Sequence, residues 1–253
     1  MPDHYFEFRR VSKAFDGHVV LDDVSFAVDP GETCVILGRS GVGKSVTLKH
    51  ILGFLKPDAG DVWVAGQEIT GWTESQLEAV RRRVAMVFQS GALFDSLTVY
   101  QNVAFPLESL GLEDGLIDRR VSELLGMLEV AEYADVLPAD LSTGMKRAVA
   151  IARALAQEPE AILFDEPTTM VDPIMAAHMG ELIRKLKDSF HKTSIVVTHD
   201  THLAKKLADR VVFLQEGRVA FWGPWAEFEA SPLPFLRNFL LEDALIPALD
   251  VTS

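Results

Sequence analysis

The stretch GRSGVGKS, residues 38–45, decides the fold. It matches the pattern G-x-x-x-x-G-K-[ST] at every fixed position, and its glycines let the backbone curl so that amide groups point at phosphate oxygens. Lys44 supplies a point charge for the terminal phosphates, and Ser45 offers a hydroxyl to Mg²⁺. The apolar run CVILG leads into the loop, and a helical pattern follows it. The stretch therefore predicts a nucleoside triphosphate site at a strand-to-helix turn.

A second motif, ILFDEP at residues 162–167, ends an apolar run in two adjacent carboxylates. We expect Asp165 to lie beside the metal and Glu166 to orient and deprotonate a water near the terminal phosphate. Gln89 and His199 follow two further apolar runs. Each of these residues alone also fits a solvated turn or a capped core position. Because strands of an open α/β sheet bind ligands at their carboxyl ends, we expect all four side chains to meet at one edge.

The order of strand and helix patterns predicts an α/β protein with a mostly parallel sheet and helices on both of its faces. We expect one domain over residues 1–253. Its core, with an N-terminal antiparallel β subdomain, is expected in 1–90 and 159–225. Residues 91–158 show helical spacing without a strand pattern, which predicts an inserted helical subdomain. Residues 226–253 are expected to form a short C-terminal extension.

Composition restricts the classes of function. The chain has 24 basic and 37 acidic residues and a formal net charge of −13, which disfavours nucleic-acid binding because a duplex binder needs a clustered positive face. Its single cysteine, Cys34, excludes an intrachain disulfide and lies in an apolar run, which indicates a buried thiol in a reducing compartment. No apolar run approaches the ~20 residues that cross a bilayer, and the start MPDHYFEFRR lacks a signal-peptide core. We therefore expect a chain that is soluble by itself and docks on a membrane protein.

Together the motifs resemble those of ATP-binding subunits of ABC transporters, nearly from end to end. The matches occur in the family's order: Phe15 as the adenine-stacking aromatic, GRSGVGKS as Walker A, Gln89 as the Q-loop, LSTGM (141–145) as the signature, ILFDE as Walker B, MVD (170–172) as the D-loop and His199 as the switch histidine. The resemblance implies an ABC-type P-loop NTPase core that uses ATP and Mg²⁺.

The resemblance also implies a role for each matched residue. Glu166, His199, Lys44 and Gln89 would serve catalysis, and Ser45, Gln89 and Asp165 would hold Mg²⁺. ATP would be bound by Phe15, Gly38, Arg39, Ser40, Gly41, Val42, Gly43, Lys44, Ser45 and Val46, and by Ser142, Thr143 and Gly144 of a second copy. In this family the signature faces the ATP that is held by the partner's Walker A, so two copies form a head-to-tail dimer.

The signature stretch itself fits this arrangement. Ser142 and the amide of Gly144 would contact the γ-phosphate at the start of a helix over residues 145–157, where free N–H groups and a partial positive charge favour an anion. Thr143 departs from the family pattern, because a glycine usually stands there.

A finer resemblance is to the ATPases of Mla/Mce phospholipid-transport systems. It rests on SGALFDSLTVYQNVAFPL (90–107), LSTGMKRAVAIARA (141–154), DEPTT (165–169) and the tail PLPFLRNFL (232–240). It implies phospholipid transport across the bacterial envelope from the cytoplasmic face of the inner membrane. The implied partners are a transmembrane permease docked on the apolar run 88–105, an Mce-domain protein and a small cytoplasmic regulatory subunit.

Other functions of a chain with these motifs stay open at this stage. One is the ATPase of another ABC importer or exporter, for amino acids or other small molecules. A chromosome-maintenance ATPase would need a long coiled coil between Lys44 and Ser142, which are only 98 positions apart. A translation-factor ATPase normally carries two nucleotide domains, and a passive nucleotide-binding module would not need both Glu166 and His199.

Overall fold

Strands and helices alternate along the chain in this computed structural model, which describes residues 4–245. The predicted C-terminal extension therefore lies partly outside the described residues. The strands are β1 (Phe6–Phe15), β2 (His18–Val28), β3 (Thr33–Leu37), β4 (Ala59–Val64), β5 (Gln67–Glu68), β6 (Val84–Val87), β7 (Ala161–Asp165), β8 (Thr193–Thr198), β9 (Arg210–Gln215) and β10 (Arg218–Pro224). The helices are α1 (Lys44–Ile51), α2 (Glu74–Arg83), α3 (Val99–Glu108), α4 (Asp114–Met127), α5 (Thr143–Ala156), α6 (Pro173–Phe190), α7 (Thr201–Leu207), α8 (Trp225–Glu229) and α9 (Pro234–Leu245).

The larger sheet has the strand order β10-β9-β3-β8-β7-β6. Strands β9, β3, β8, β7 and β6 run parallel, and β10 pairs antiparallel with β9 at one edge. Every residue of β3, β7 and β8 is buried, which explains why these strands are nearly continuous apolar runs rather than alternating ones. The prediction of a mostly parallel sheet is confirmed.

The smaller sheet is antiparallel, in the order β2-β1-β4-β5, and it confirms the predicted antiparallel β subdomain near the N-terminus. β1 lies at its centre, where Phe6 pairs with Val28 on one side and Val64 on the other. Phe8 stacks on Phe26 of the neighbouring strand with 4.7 Å between ring centroids. The inner face of this sheet is therefore aromatic and buried.

Two apolar cores lie on opposite faces of the larger sheet. Side chains alternate along a strand, so Cys34 and Ile36 of β3 enter one core while Val35 and Leu37 enter the other. The first core packs the sheet against α1, α2 and the antiparallel sheet, and the second packs it against α3 to α7. Cys34 is fully buried, as its apolar context predicts.

A helical segment interrupts the βαβ alternation between β6 and β7. It consists of α3, α4 and α5, and the rest of 88–160 forms turns and short 3₁₀ stretches. Thr98 and Gln101 form a capping box at the start of α3, because Thr98 Oγ1 accepts from the Gln101 amide and Gln101 Oε1 accepts from the Thr98 amide. Helix α5 begins at Thr143, two residues earlier than expected, because Ser142 Oγ caps it by accepting from the Met145 amide.

The chain continues past β10 into two helices that pack on the sheet. In α9, Leu236 is fully buried and the Phe239 ring lies 4.9 Å from that of Phe213.

Across residues 4–245, every helix falls short of the length and apolar character that a bilayer crossing requires.

Candidate active site

The predicted site residues meet at the carboxyl edge of the larger sheet. The loops after β3, β8, β7 and β6, which are neighbours in that order, carry the phosphate loop, His199, Glu166 and Gln89. They enclose an open cavity of about 270 Å³. Its lining residues are Val20, Ser40, Gly41, Gly43, Lys44, Ser45, Val46, Gln89, Glu166, Thr169 and His199. The convergence follows from parallel pairing, which brings equivalent ends of consecutive strands to one edge.

Lys44 anchors the phosphate loop from inside. Its side chain is 5% exposed, and its Nζ donates to the carbonyl oxygens of Gly38 at 2.7 Å and Arg39 at 3.1 Å. The same ammonium lies 3.2 Å from Glu166 Oε1. The buried ammonium of Lys44 thus holds the loop in a curled conformation and attracts the carboxylate on the opposite wall. The ammonium is directed into the cavity where an anion would bind.

The loop closes against β2 so tightly that it needs glycine. Gly43 has a φ of 101°, and a Cβ there would lie 2.6 Å from Leu21 Cδ2 and 3.0 Å from the Val20 carbonyl oxygen. Gly43 also precedes α1 without a side-chain cap, so the first turn of the helix presents amide groups rather than a competing carboxylate. This is the geometry that a phosphate group requires.

Ser45 and Asp165 form a pair of oxygen ligands. Ser45 Oγ donates to Asp165 Oδ1 at 2.7 Å, across the gap between α1 and the end of β7. Burial raises the pKa of Asp165, the hydrogen bond from Ser45 opposes that rise, and the adjacent Glu166 adds to it. Hydroxyl and carboxylate oxygens beside a triphosphate site are what Mg²⁺ selects, so the residues present fit this ion. When bound, Mg²⁺ neutralises phosphate charge.

Glu166 has a strained backbone conformation, and both of its carboxylate oxygens have polar partners. Its φ is 47°, in the left-handed region, which costs about 1–3 kcal/mol for a residue with a side chain. Its Oε2 lies 2.9 Å from His199 Nδ1 and accepts from Thr169 Oγ1 at 2.9 Å. Burial works to raise the pKa of Glu166, but the hydrogen bond to His199 and the charge of Lys44 outweigh it and lower the pKa. The group is therefore a carboxylate, able to accept a proton.

The structure leaves several predicted residues at the margin of this cavity or away from it. Gln89 lines it from an exposed position just beyond β6. Phe15 is 39% exposed at the end of β1, with Lys13 Nζ 5.5 Å from its ring centroid. Ser142, Thr143 and Gly144 lie at the start of α5 and do not line the cavity. A Cβ on Gly144 would meet the side chain of Met175. Their action on a second copy stays a prediction.

Two contacts of the site were missed by the sequence analysis. Thr169 bonds Glu166, and the DEPTT motif that contains it was the available signal. Arg147 is 4% exposed and donates to carbonyl oxygens of the loop that follows β7. No sequence pattern predicted this role, because Arg147 lies in a helical stretch whose spacing is ordinary.

The site combines a glycine loop at a strand-to-helix turn with the Ser45–Asp165 oxygen pair and the Glu166 carboxylate on the facing wall. This combination defines a nucleoside triphosphatase of the phosphate-loop class. Residues 21–169 match the family described as "ABC transporter". The chain belongs to the ABC transporter family. It is an ABC-type ATPase, with ATP and Mg²⁺ as its ligands.

Relatives of this chain include proteins named for methionine import. "Methionine import ATP-binding protein MetN 1" of Rhodopseudomonas palustris is 42% identical over 214 residues, which are 85% of this chain and 57% of that protein. MetN of Symbiobacterium thermophilum is 40% identical over 224 residues, 88% of this chain and 68% of that protein. The chain thus spans about 57–68% of the length of these relatives. Their names do not support the phospholipid assignment or the Mce-domain partner expected from the sequence.

Two solved structures share the fold. CbiO1 from Clostridium perfringens, described as part of the ABC transporter complex cbiONQ, matches with a TM-score of 0.84 and 29% identity, covering 98% of both chains. The ATP-binding cassette MJ0796, described as dimeric in a post-hydrolysis state bound to ADP and Pi, matches with a TM-score of 0.80 and 32% identity. This match covers 87% of the present chain and 98% of that one.

Proposed function

We propose that the chain is the ATP-hydrolysing subunit of an ABC importer, working as a dimer beneath a transmembrane permease at the cytoplasmic face of the inner membrane. The observation that carries the proposal is the Glu166 carboxylate, held by Lys44, His199 and Thr169 at the edge of the phosphate-loop cavity. A passive nucleotide-binding module would have no use for a strained, ionised carboxylate at that place.

The residues divide the work of hydrolysis. Glu166 accepts the proton of the attacking water, because its carboxylate is ionised and opens on the cavity. His199 keeps that carboxylate oriented through its Nδ1. Lys44 supplies a fixed positive charge that binds the phosphate oxygens. Ser45 and Asp165 would hold the metal.

The proposed dimer completes each site with the N-terminus of α5. Ser142 and Thr143 are exposed there, so they are free to contact the nucleotide of a second copy. The dimeric state named for MJ0796 supports this arrangement. A Glu166→Gln variant with Mg-ATP should release phosphate far more slowly than the wild type, at a residual rate that single-turnover measurements still detect, and it should accumulate as a dimer in light scattering. The control Glu181→Gln, whose half-exposed carboxylate on α6 pairs with Arg184 and Lys206, should hydrolyse ATP as the wild type does. A Glu166→Gln protein that remained monomeric at saturating Mg-ATP would contradict the dimer.

The proposed docking surface for the permease lies on the helical subdomain of residues 91–158 and the loop before it. Phe88, Phe94 and Phe105 are 36–43% exposed, and the rings of Phe94 and Phe105 lie 4.8 Å apart. Exposed aromatic pairs of this kind suit an apolar helix of a partner. The cbiONQ complex named for cbiO1 supports a partner of this class.

For the substrate, the named relatives favour an amino acid of the methionine class. Phospholipid is the second candidate, favoured by the resemblance of residues 90–107 and 232–240 to Mla/Mce ATPases. The two assignments make opposite demands on the permease, because a free amino acid is hydrophilic whereas a phospholipid carries two acyl chains.

One reconstitution separates them. The chain is co-purified with the transmembrane protein encoded beside it and placed in liposomes with internal Mg-ATP. Methionine import predicts ATP-dependent uptake of labelled L-methionine when its receptor is supplied, and phospholipid transport predicts ATP-dependent movement of a fluorescent phospholipid instead. The complex with Glu166→Gln is the matched control and should do neither. Hydrolysis without movement of either probe would remove both substrates and leave the ATPase.

A further inference from the structure

A buried arginine joins the signature helix to the loop of the proposed base. Arg147, in the second turn of α5, is 4% exposed, and its Nη1 donates to the Glu166 carbonyl oxygen at 3.0 Å. The same guanidinium donates to the carbonyl oxygens of Pro167 and Thr169. All three acceptors belong to the four-residue turn that begins at Glu166.

These contacts point to backbone positioning. A guanidinium is planar and carries five N–H donors in a fixed fork, so it holds three carbonyl groups in one arrangement more rigidly than an ammonium on a flexible stem would. The turn needs such support, because Glu166 at its start and Met170 directly after it both have a left-handed φ. Within it, the Thr169 amide donates to the Glu166 carbonyl at 3.3 Å, while Thr169 Oγ1 bonds the Glu166 carboxylate.

We propose that Arg147 is a positioning residue for ATP hydrolysis: by holding the carbonyl groups of Glu166, Pro167 and Thr169, it aims the Glu166 carboxylate at the water. The proposal rests on the proposed function, in which Glu166 is the base. It also ties the N-terminus of α5, which would contact the partner's nucleotide, to the base of the chain's own site through five residues of one helix.

The test compares Arg147→Met, which keeps the length of the side chain without donors, with Arg147→Lys, which keeps a charge and three donors. For the Met variant we expect kcat for Mg-ATP to fall about 10- to 100-fold, the range for a reacting group displaced by about 1 Å, with KM changed by less than about threefold. The Lys variant should recover at least threefold of the lost kcat. Arg184→Met, whose side chain pairs with Glu181 and Asp188 on the surface, is the control and should match the wild type.

A second measurement separates positioning from folding. Single-turnover hydrolysis is followed for Arg147→Met in wild-type and Glu166→Gln backgrounds. If Arg147 acts through Glu166, the Arg147→Met substitution should lower the single-turnover rate little in a chain that already lacks the base. If Arg147 acts independently, the two losses in rate should multiply. Should the Met variant not fold, the Lys variant carries the test through the same cycle.

The possible results are distinct. An unchanged kcat in the folded variants, a rise in KM alone, or multiplied losses in the Glu166→Gln background would overturn the positioning role. A wild-type protein without ATPase activity would instead refute the proposed function, since no base would then need positioning.

Discussion

The Lys44 ammonium and the Glu166 carboxylate lie 3.2 Å apart, so an ion pair joins the phosphate loop to the loop after β7. Both side chains are buried, and the pair spans the cavity from one wall to the other. We therefore expect two functions of Lys44: its charge would attract phosphate, and it adds to the hydrogen bond from His199 in lowering the pKa of Glu166 against the effect of burial.

Removing Lys44 should affect both functions. We expect Lys44→Ala to weaken ATP binding about 10- to 100-fold, because a charge-assisted hydrogen bond contributes about 1.5–3 kcal/mol. The pKa of Glu166 should rise in the variant, since one of the charges that lower it is gone. Calorimetric titration with ATP measures the affinity. Lys49→Ala, on an exposed position of the same helix, is the control, and equal affinities in the two variants would argue against a phosphate-binding role.

The crowding behind the phosphate loop makes two of its glycines respond differently to substitution. In Gly43→Ala the new methyl group meets Leu21 and the Val20 carbonyl, whereas in Gly41→Ala it meets nothing within 4 Å, although both glycines have a positive φ. Overpacking costs about 1–3 kcal/mol, so Gly43→Ala should lower Tm by about 2–10 °C more than Gly41→Ala does. Thermal unfolding followed by circular dichroism checks this. Equal Tm values would show that the loop relaxes away from β2.

Asn102 organises the loop that precedes α3. It is fully buried, its Nδ2 donates to the carbonyls of Phe94 and Leu97, and its Oδ1 accepts from the Phe94 amide at 2.8 Å. Asn102→Leu removes these bonds at similar volume and leaves buried backbone groups unpaired, which should cost about 2–3 kcal/mol. Urea unfolding measures the loss, and faster amide exchange in residues 94–98 locates it. Asn238→Leu, on an exposed position of α9, should change the free energy of unfolding little.

His50 should make the protein less stable in mild acid. It is 1% exposed on α1, and burial lowers its pKa although its Nδ1 bonds the Val46 carbonyl oxygen at 2.8 Å. A lowered folded-state pKa means that the unfolded chain takes up the proton first. The contribution is therefore present above the unfolded pKa of about 6.5 and is lost as pH falls through the folded pKa.

The variant His50→Leu removes this titration. The decrease in its free energy of unfolding between pH 7.5 and 5.5 should be smaller than that of the wild type, as measured by urea unfolding at each pH. His18→Gln, on an exposed position of β2, should follow the wild type. A parallel decrease in wild type and His50→Leu would assign the acid sensitivity to other groups.

The fold could be predicted from the sequence because its signals are local. Apolar runs predicted the strands of the larger sheet, and Thr98 with Gln101 predicted the start of α3. The polar side chains at the ends of the strands indicated the edge that carries the site. Of the four side chains expected at this edge, Gln89, Glu166 and His199 line one cavity with Lys44, because parallel strands share one carboxyl edge. These local signals concern the ATP site, so they do not identify a transported substrate.

Arg147 shows where such reasoning stops. It occupies an ordinary helical position in the sequence, and its contacts appear only when α5 packs against the loop after β7. The Lys44–Glu166 pair and the Ser45–Asp165 bond are of the same kind, the latter joining residues 120 positions apart.

By itself the sequence determined the phosphate loop, its cation, the paired carboxylates and the order of strands and helices, since each of these depends on neighbours within a few residues. Tertiary structure alone decided which loops face each other, because the order β3-β8-β7-β6 is chosen by the burial of apolar faces and not by any one segment. That packing places a buried lysine and a strained glutamate at one cavity, and it places an arginine from a distant helix against the turn that carries the glutamate. The charges of these side chains act on each other only in this arrangement.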